Sequence, residues 1–328
     1  MTATADKLEF PRSSLRSEAK VRALNAEALG LPFARPSVPA EDTLPCEIED
    51  DDNRLQQVRR LLNDGYAGVV LSGPPGTSKT WYAKQIAAKL VDLDKRRVRF
   101  VQFHASYQYE DFIEGYVPRE EGDGFNLVEK HFLNMCNTAK EAEGKLCVLV
   151  IDELSRCDPA RVFGEALTYL EMPMRNQPFH LASGKRVAIP TNLVFLATMN
   201  PFDRGVDEVD VALERRFAKI SMEPDVGILR KLLTQNGAPE DLQNRIARFM
   251  ESLQSNENPL CRLGHAYFRS VADEDSLQRL WEHQLQFFFE KTFRLDPEGL
   301  RSVQRFWKQL FGRAGDGKSE AEKSSPAE

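Results

Sequence analysis

A glycine- and proline-rich octet, Gly73-Pro74-Pro75-Gly76-Thr77-Ser78-Lys79-Thr80, joins a short apolar run, Tyr66–Ser72, to a stretch rich in Ala, Lys and Leu from Trp81 to Leu90. Strand, glycine loop, helix is an order that few folds accommodate. It reads as a buried strand running through a phosphate-binding loop, G-x-x-x-x-G-K-[ST], with Ser78 where the second glycine belongs. Backbone N–H groups of such a loop point at a β-phosphate, and the following helix adds its partial positive N-terminus. Gly73, Pro74, Pro75, Gly76, Thr77, Ser78, Lys79, Thr80 and Trp81 are therefore the candidate nucleotide-binding residues. Lys79 is expected on the β- and γ-phosphates and the Thr80 hydroxyl on Mg²⁺. A Gly/Pro turn with a chance Lys-Thr is the plain alternative, and it leaves the flanking strand and helix unexplained. Serine at 78 costs about 1 kcal/mol if the backbone there needs positive φ, and little if φ is helical. Ser78→Gly is accordingly expected to leave hydrolysis similar or faster.

Alternating strands and helices continue from Tyr66 to about Glu223. Val98–His104, Leu146–Ile151, Asn192–Thr198 and Phe217–Met222 read as further strands. Continuous apolar runs of this kind belong to parallel sheets covered on both faces, so the expected core is a doubly wound α/β layer with the phosphate loop at the carboxyl ends of its strands. The acidic cluster Glu47–Asp52 is expected to cap a helix over Asn53–Asn63 rather than to hold a metal. From Pro224 the pattern turns helical: Leu229, Leu232 and Leu233 share one face, as do Leu277, Leu280, Trp281 and Leu285. Phe287-Phe288-Phe289 is read as helix core rather than a base-stacking platform. The expected organisation is an N-terminal extension over 1–53 (with a short helix over Ser13–Leu29), an α/β core over 54–223, a helical lid over 224–312 and a disordered tail over 313–328.

With 328 residues, 41% hydrophobic and 29% charged, the chain has enough material for a sizeable core. A net charge of −6 argues against an autonomous DNA-binding module. The five cysteines form no C-x-x-C pair, so a zinc or disulfide framework is not expected, and a reducing cytoplasm is. No run reaches the roughly 18–20 apolar residues of a membrane span, and no secretory signal is read at the N-terminus.

Two acids, Asp152 and Glu153, end the apolar strand at Val150-Ile151. Strand alternation points them apart, so Asp152 can serve the Mg²⁺ shell while Glu153 polarises a water. Asn200 ends the next strand, placed to orient that water or touch the γ-phosphate; alone it is a turn residue. Arg215 and Arg216 follow. An arginine entering a neighbouring subunit's site stabilises charge on the transferred phosphoryl group. The structural alternative pairs one or both with Asp207, Glu208 or Asp210.

Taken in order, Gly73–Thr80, Asp152-Glu153, Asn200 and Arg215-Arg216 resemble the Walker A, Walker B, sensor 1 and arginine finger of AAA+ proteins. Phe103-His104-Ala105-Ser106-Tyr107-Gln108-Tyr109-Glu110-Asp111-Phe112, Asp152-Glu153-Leu154-Ser155-Arg156, Phe163-Gly164-Glu165, Thr198-Met199-Asn200-Pro201-Phe202-Asp203-Arg204 and Gly264-His265-Ala266-Tyr267-Phe268 are similar to strings of the McrB-type group within that family. The resemblance covers about residues 54–310. It implies an α/β AAA+ core with a helix-2 insertion, here Tyr116–Phe125, whose Pro118, Gly122 and Gly124 suit a hairpin. Related machines line a central pore with such hairpins.

The same resemblance implies a Mg²⁺-dependent nucleoside triphosphatase that assembles as a ring, expected to be a hexamer, and works on DNA with a separately encoded nuclease in a restriction or antiviral defence system. No nuclease constellation is read in this chain. Pro201-Phe202 replace the group's Thr-Ala, so its use of GTP is not carried over; ATP is expected, with GTP the alternative. With an extension of only about fifty residues, the separate modified-DNA-reading domain of the McrB group is not expected. Other readings of the same residues are a MoxR-like protein-remodelling ATPase, a low-turnover nucleotide-gated scaffold and, less well suited, a P-loop kinase.

Overall fold

In a computed structural model the protein is described over residues 43–120, 123–201 and 211–312. The expected helix at Ser13–Leu29, Gly122, Asp203-Arg204, the carboxylates of Asp207, Glu208 and Asp210, and the tail from 313 lie outside these residues. The described residues fall in one compact unit.

Five parallel strands make the central sheet: β1 Gly68–Ser72, β2 Val98–Gln102, β3 Cys147–Asp152, β4 Leu193–Met199 and β5 Phe217–Ser221. Their order across the sheet is β2-β3-β4-β1-β5. The register aligns Ser72 of β1 with Met199 of β4 and with Ser221 of β5, and Gly68 with Phe217. Each apolar run named from the sequence is one of these strands, with ends shifted by up to two residues; β3 and β4 each run one residue further, to Asp152 and Met199.

Alternation sends successive side chains of a strand to opposite faces. Val69, Leu71, Val148, Val150, Val194 and Leu196 pack under helix α1, Asn53–Asn63, and helix α2, Lys79–Leu90. Val70, Leu149, Ile151, Phe195 and Ala197 face the other way, against a ring-rich layer with Phe112, Phe132 and Phe163 that includes helix α3, His131–Glu141. Both faces being covered, the runs are continuous rather than alternating. The acidic cluster works as expected: Asp52 is the N-cap of α1, and its carboxylate accepts from the Arg54 and Leu55 N–H groups.

Between β2 and β3 the chain makes an antiparallel hairpin, Glu114–Pro118 with Phe125–Glu129, where turn residues suggested one. Tyr116, Phe125 and Leu127 share one of its faces and are exposed. A second short hairpin, Phe179–His180 with Arg186–Val187, is not apparent from the sequence.

Beyond β5 the chain is helical: α4 Val226–Gln235, α5 Glu240–Gln254, α6 Glu274–Leu280, α7 Gln286–Thr292 and α8 Pro297–Phe311. These helices bury their own core, including Leu229, Leu233, Phe249, Leu277, Leu285, Phe289 and Trp307. The apolar stripe around Trp281 contains a π-helical turn, Trp281–Leu285. Of the three consecutive phenylalanines, Phe289 is buried core and Phe287 is 60% exposed, so only part of that segment is packing. Among the described residues no helix is long and apolar enough to cross a membrane.

Candidate functional site

The phosphate loop leaves β1 at Ser72 and enters α2 at Lys79, on the carboxyl edge of the sheet. Its ends are tied to the neighbouring strands. The Gly73 N–H donates to the Met199 carbonyl at 3.2 Å, and the Met222 N–H donates to that of Ser72 at 2.7 Å. Within the loop the Thr77 hydroxyl donates to the Pro74 carbonyl at 3.0 Å. The Lys79 ammonium donates to the Gly73 and Pro74 carbonyls at 2.9 and 2.8 Å, which holds its charge over the loop. Trp81, the third residue of α2, is 38% exposed and packs edge-on against Tyr82, with ring centroids 4.8 Å apart.

Ser78 has φ 62° and ψ 25°, a left-handed conformation. The costly alternative weighed from the sequence is thus the real one, about 1 kcal/mol against glycine. Its hydroxyl is not idle: Oγ lies 3.0 Å from Nε2 of His265, a lid residue.

Asp152 ends β3 beside the loop. Its Oδ1 accepts from the Thr80 hydroxyl at 2.8 Å and from the Thr198 hydroxyl at 2.5 Å. Thr198 also accepts from the Glu153 N–H at 3.1 Å. One buried threonine on β4 therefore holds both acids of the neighbouring strand end. Glu153 needs the help: at φ 58° and ψ 46° it is a second left-handed non-glycine residue, of the strained kind that collects at working sites. Its carboxylate accepts from Arg156 Nε at 3.4 Å. Asn200 directly follows Met199, level with the start of the loop.

Hard oxygen donors meeting beside a phosphate loop are what Mg²⁺ takes, with phosphate and water completing its octahedron. Thr80 Oγ1 and Asp152 Oδ1 fit that ion. Among the described residues no group of three or more His, Cys, Asp or Glu side chains is suited to a metal, so a cage made wholly of protein is not what they offer.

The two arginines part company. Arg216 is buried, 7% exposed, and its guanidinium lies 2.9 Å from Glu171 Oε1. The Arg215 side chain is 68% exposed and stands 3.6 Å from the same carboxylate. Among the described residues both arginines face Glu171, a residue the sequence did not single out; Asp207, Glu208 and Asp210 lie outside them. Both arginines precede β5, and the register puts that end level with the start of β1, whereas the loop follows its end. Five residues of strand separate the two edges by about 16 Å, more than an arginine side chain spans.

Two residues escaped the sequence reading as site residues. Thr198 was visible as a hydroxyl inside an apolar strand, a signal that names an anomaly but no partner. His265 was visible only as part of a string in the lid. It is buried, and burial pushes its imidazole down to about 4, against a rise from Asp225 and with a small further lowering from Arg54.

Comparison with known proteins agrees with this geometry. The AAA domain family (dynein-related subfamily) matches residues 68–217, from the first residue of β1 to the first of β5. The chain is 35% identical over 253 residues to the type IV methyl-directed restriction enzyme EcoKMcrB subunit of Escherichia coli K12, covering 69% of this chain and 55% of that protein. It is 22% identical over 188 residues to the type II restriction enzyme BsuMI component YdiS of Bacillus subtilis 168, covering 45% of this chain and 55% of that protein. The chain thus spans just over half the length of both curated relatives.

Proposed function

The chain belongs to the McrB-like group of AAA+ proteins, and from that membership we propose that it is a magnesium-dependent nucleoside triphosphatase, using ATP in preference to GTP, that works as a ring-forming motor subunit. The observation that carries the reading is the convergence on Asp152. Hydroxyls from the phosphate-loop helix and from β4 both donate to its Oδ1, while Glu153 follows it in the chain.

Each residue then has a task. Lys79 exchanges its loop carbonyls for phosphate oxygens. Thr80 and Asp152 hold Mg²⁺, which when bound neutralises charge on the phosphates. Glu153 takes the proton of the attacking water as its oxygen bonds to the γ-phosphorus. The bond from that phosphorus to the bridging oxygen breaks, and the diphosphate leaves. Asn200 orients the water. Arg215, exposed and only loosely paired with Glu171 on the far edge of the sheet, serves the next copy's site, whereas Arg216 is buried against Glu171. The names of both relatives place those proteins in restriction enzymes, which supports work on DNA alongside a separate nuclease, in a defence system of the cytoplasm.

Phosphate release with ATP and with GTP, by wild type and Glu153→Gln, tests the chemistry. Wild-type turnover that falls about a hundredfold or more in the variant is expected. Equal, near-zero rates overturn it in favour of a nucleotide-gated scaffold. Stimulation by DNA is expected; stimulation only by a protein client moves the assignment to a remodelling ATPase. Native mass measurement with a slowly hydrolysed ATP analogue tests the ring, expected as six copies.

A further inference from the structure

The lid does not merely follow the core in the chain; it lies on the phosphate loop. The Gly264 N–H donates to the Pro75 carbonyl and the Ala266 N–H to the Gly76 carbonyl, both at 2.9 Å. Two glycines make this approach possible. A Cβ on Gly264 would stand 1.9 Å from the Gly76 carbonyl carbon, and one on Gly76 would stand 2.6 Å from the Tyr267 ring. At the centre of the seam Ser78 Oγ meets His265 Nε2 at 3.0 Å.

The direction of that hydrogen bond follows from the other ring nitrogen. The Asp225 N–H donates to His265 Nδ1 at 3.4 Å, so Nδ1 is an acceptor and the proton of a neutral imidazole sits on Nε2. Nε2–H therefore donates to the serine hydroxyl. Asp225 also caps the first lid helix, α4, by accepting from the Ile228 N–H at 2.9 Å. The contact thus runs from the loop through the imidazole to the residue where the lid begins.

We propose that Ser78 and His265 form a latch holding the lid on the phosphate loop, so that lid position and loop conformation change together. Ser78 is then a positioning residue whose hydroxyl is the reason a left-handed position carries a side chain. The latch reverses the expectation that Ser78→Gly is harmless. Its kinetic consequence rests on the hydrolase reading above; the contact itself does not.

Hydrogen–deuterium exchange on the full chain without nucleotide, beside ATP and GTP hydrolysis, tests it. The proteins are wild type, Ser78→Gly, His265→Phe, His265→Gln and the Ser78→Gly/His265→Phe pair. Exchange at Gly264 and Ala266 should quicken about tenfold in Ser78→Gly and in His265→Phe. The pair should be no faster than either alone, because both remove one contact. His265→Gln, whose side-chain N–H replaces Nε2–H, should stay near wild type. Where nucleotide is hydrolysed, kcat should fall about tenfold in the first two variants with KM within about twofold. Ser78→Gly relieves backbone strain, so it keeps the test decisive even if His265→Phe fails to fold. Wild-type exchange at those two amides in Ser78→Gly overturns the latch, whether or not the chain turns over nucleotide. A wild type that hydrolyses neither nucleotide, with exchange quickened in Ser78→Gly, overturns the hydrolase reading and supports the latch.

Discussion

At the scale of single residues, the two acids of the candidate site are held by a threonine on the neighbouring strand. Thr198 donates to Asp152 and accepts from the Glu153 N–H. Thr198→Val keeps the shape and removes both bonds. It should lower kcat about tenfold to a hundredfold with KM little changed, a split readable in steady-state assays at saturating nucleotide. His265 makes a prediction about acid. Its folded value of about 4 lies below the ordinary 6.5, because burial disfavours the charged ring. Asp225 and Arg54 are the charged groups that act on it. Below pH 6.5 the unfolded chain binds a proton that the folded chain refuses. Stability is therefore complete above pH 6.5 and declines as pH falls towards 4, by about 3 kcal/mol for this residue. Denaturant titrations across that window should show the decline, and His265→Phe should flatten it.

At the scale of elements, much was legible because local chemistry and tertiary environment agree. A parallel sheet covered on both faces asks for uninterrupted apolar runs, and Val148–Ile151 or Val194–Ala197 are such runs. Helix α1 was bounded by its cap. Asp52→Ala should cost about 1 kcal/mol, seen as a fall of a few degrees in the thermal midpoint. Less was legible where backbone conformation answers to distant contacts. The left-handed φ of Ser78 was raised by the loop's missing glycine but not decided by it, and that of Glu153 leaves no trace in the sequence. The short hairpin at Phe179–Val187 lacks an apolar run long enough to announce a strand. Periodicity placed Leu277 and Leu285 on one buried face, yet could not foresee the π turn between them.

For the whole molecule, the sorting of Arg215 from Arg216 has the widest reach. Arg216→Ala removes a buried guanidinium paired with the half-exposed Glu171 and should lower the thermal midpoint, by about 1 kcal/mol of stability; Arg215→Ala, exposed, should change it less. A trans role makes a sharper prediction. Lys79→Ala and Arg215→Ala copies should each be inactive alone, and mixing them should restore part of the turnover, because a Lys79→Ala copy still lends its arginine to an Arg215→Ala site. No recovery on mixing, with assembly intact, would place the arginine's role within its own chain. The proposed sharing of sites between copies would also change how damage is inherited. A copy lacking both Glu153 and Arg215 spoils its own site and the one it completes next door, so a minority of such copies removes more than its share of activity. Such doubly altered copies are therefore expected to suppress the normal gene product present in the same cell, whereas loss of Arg215 alone removes one site per copy.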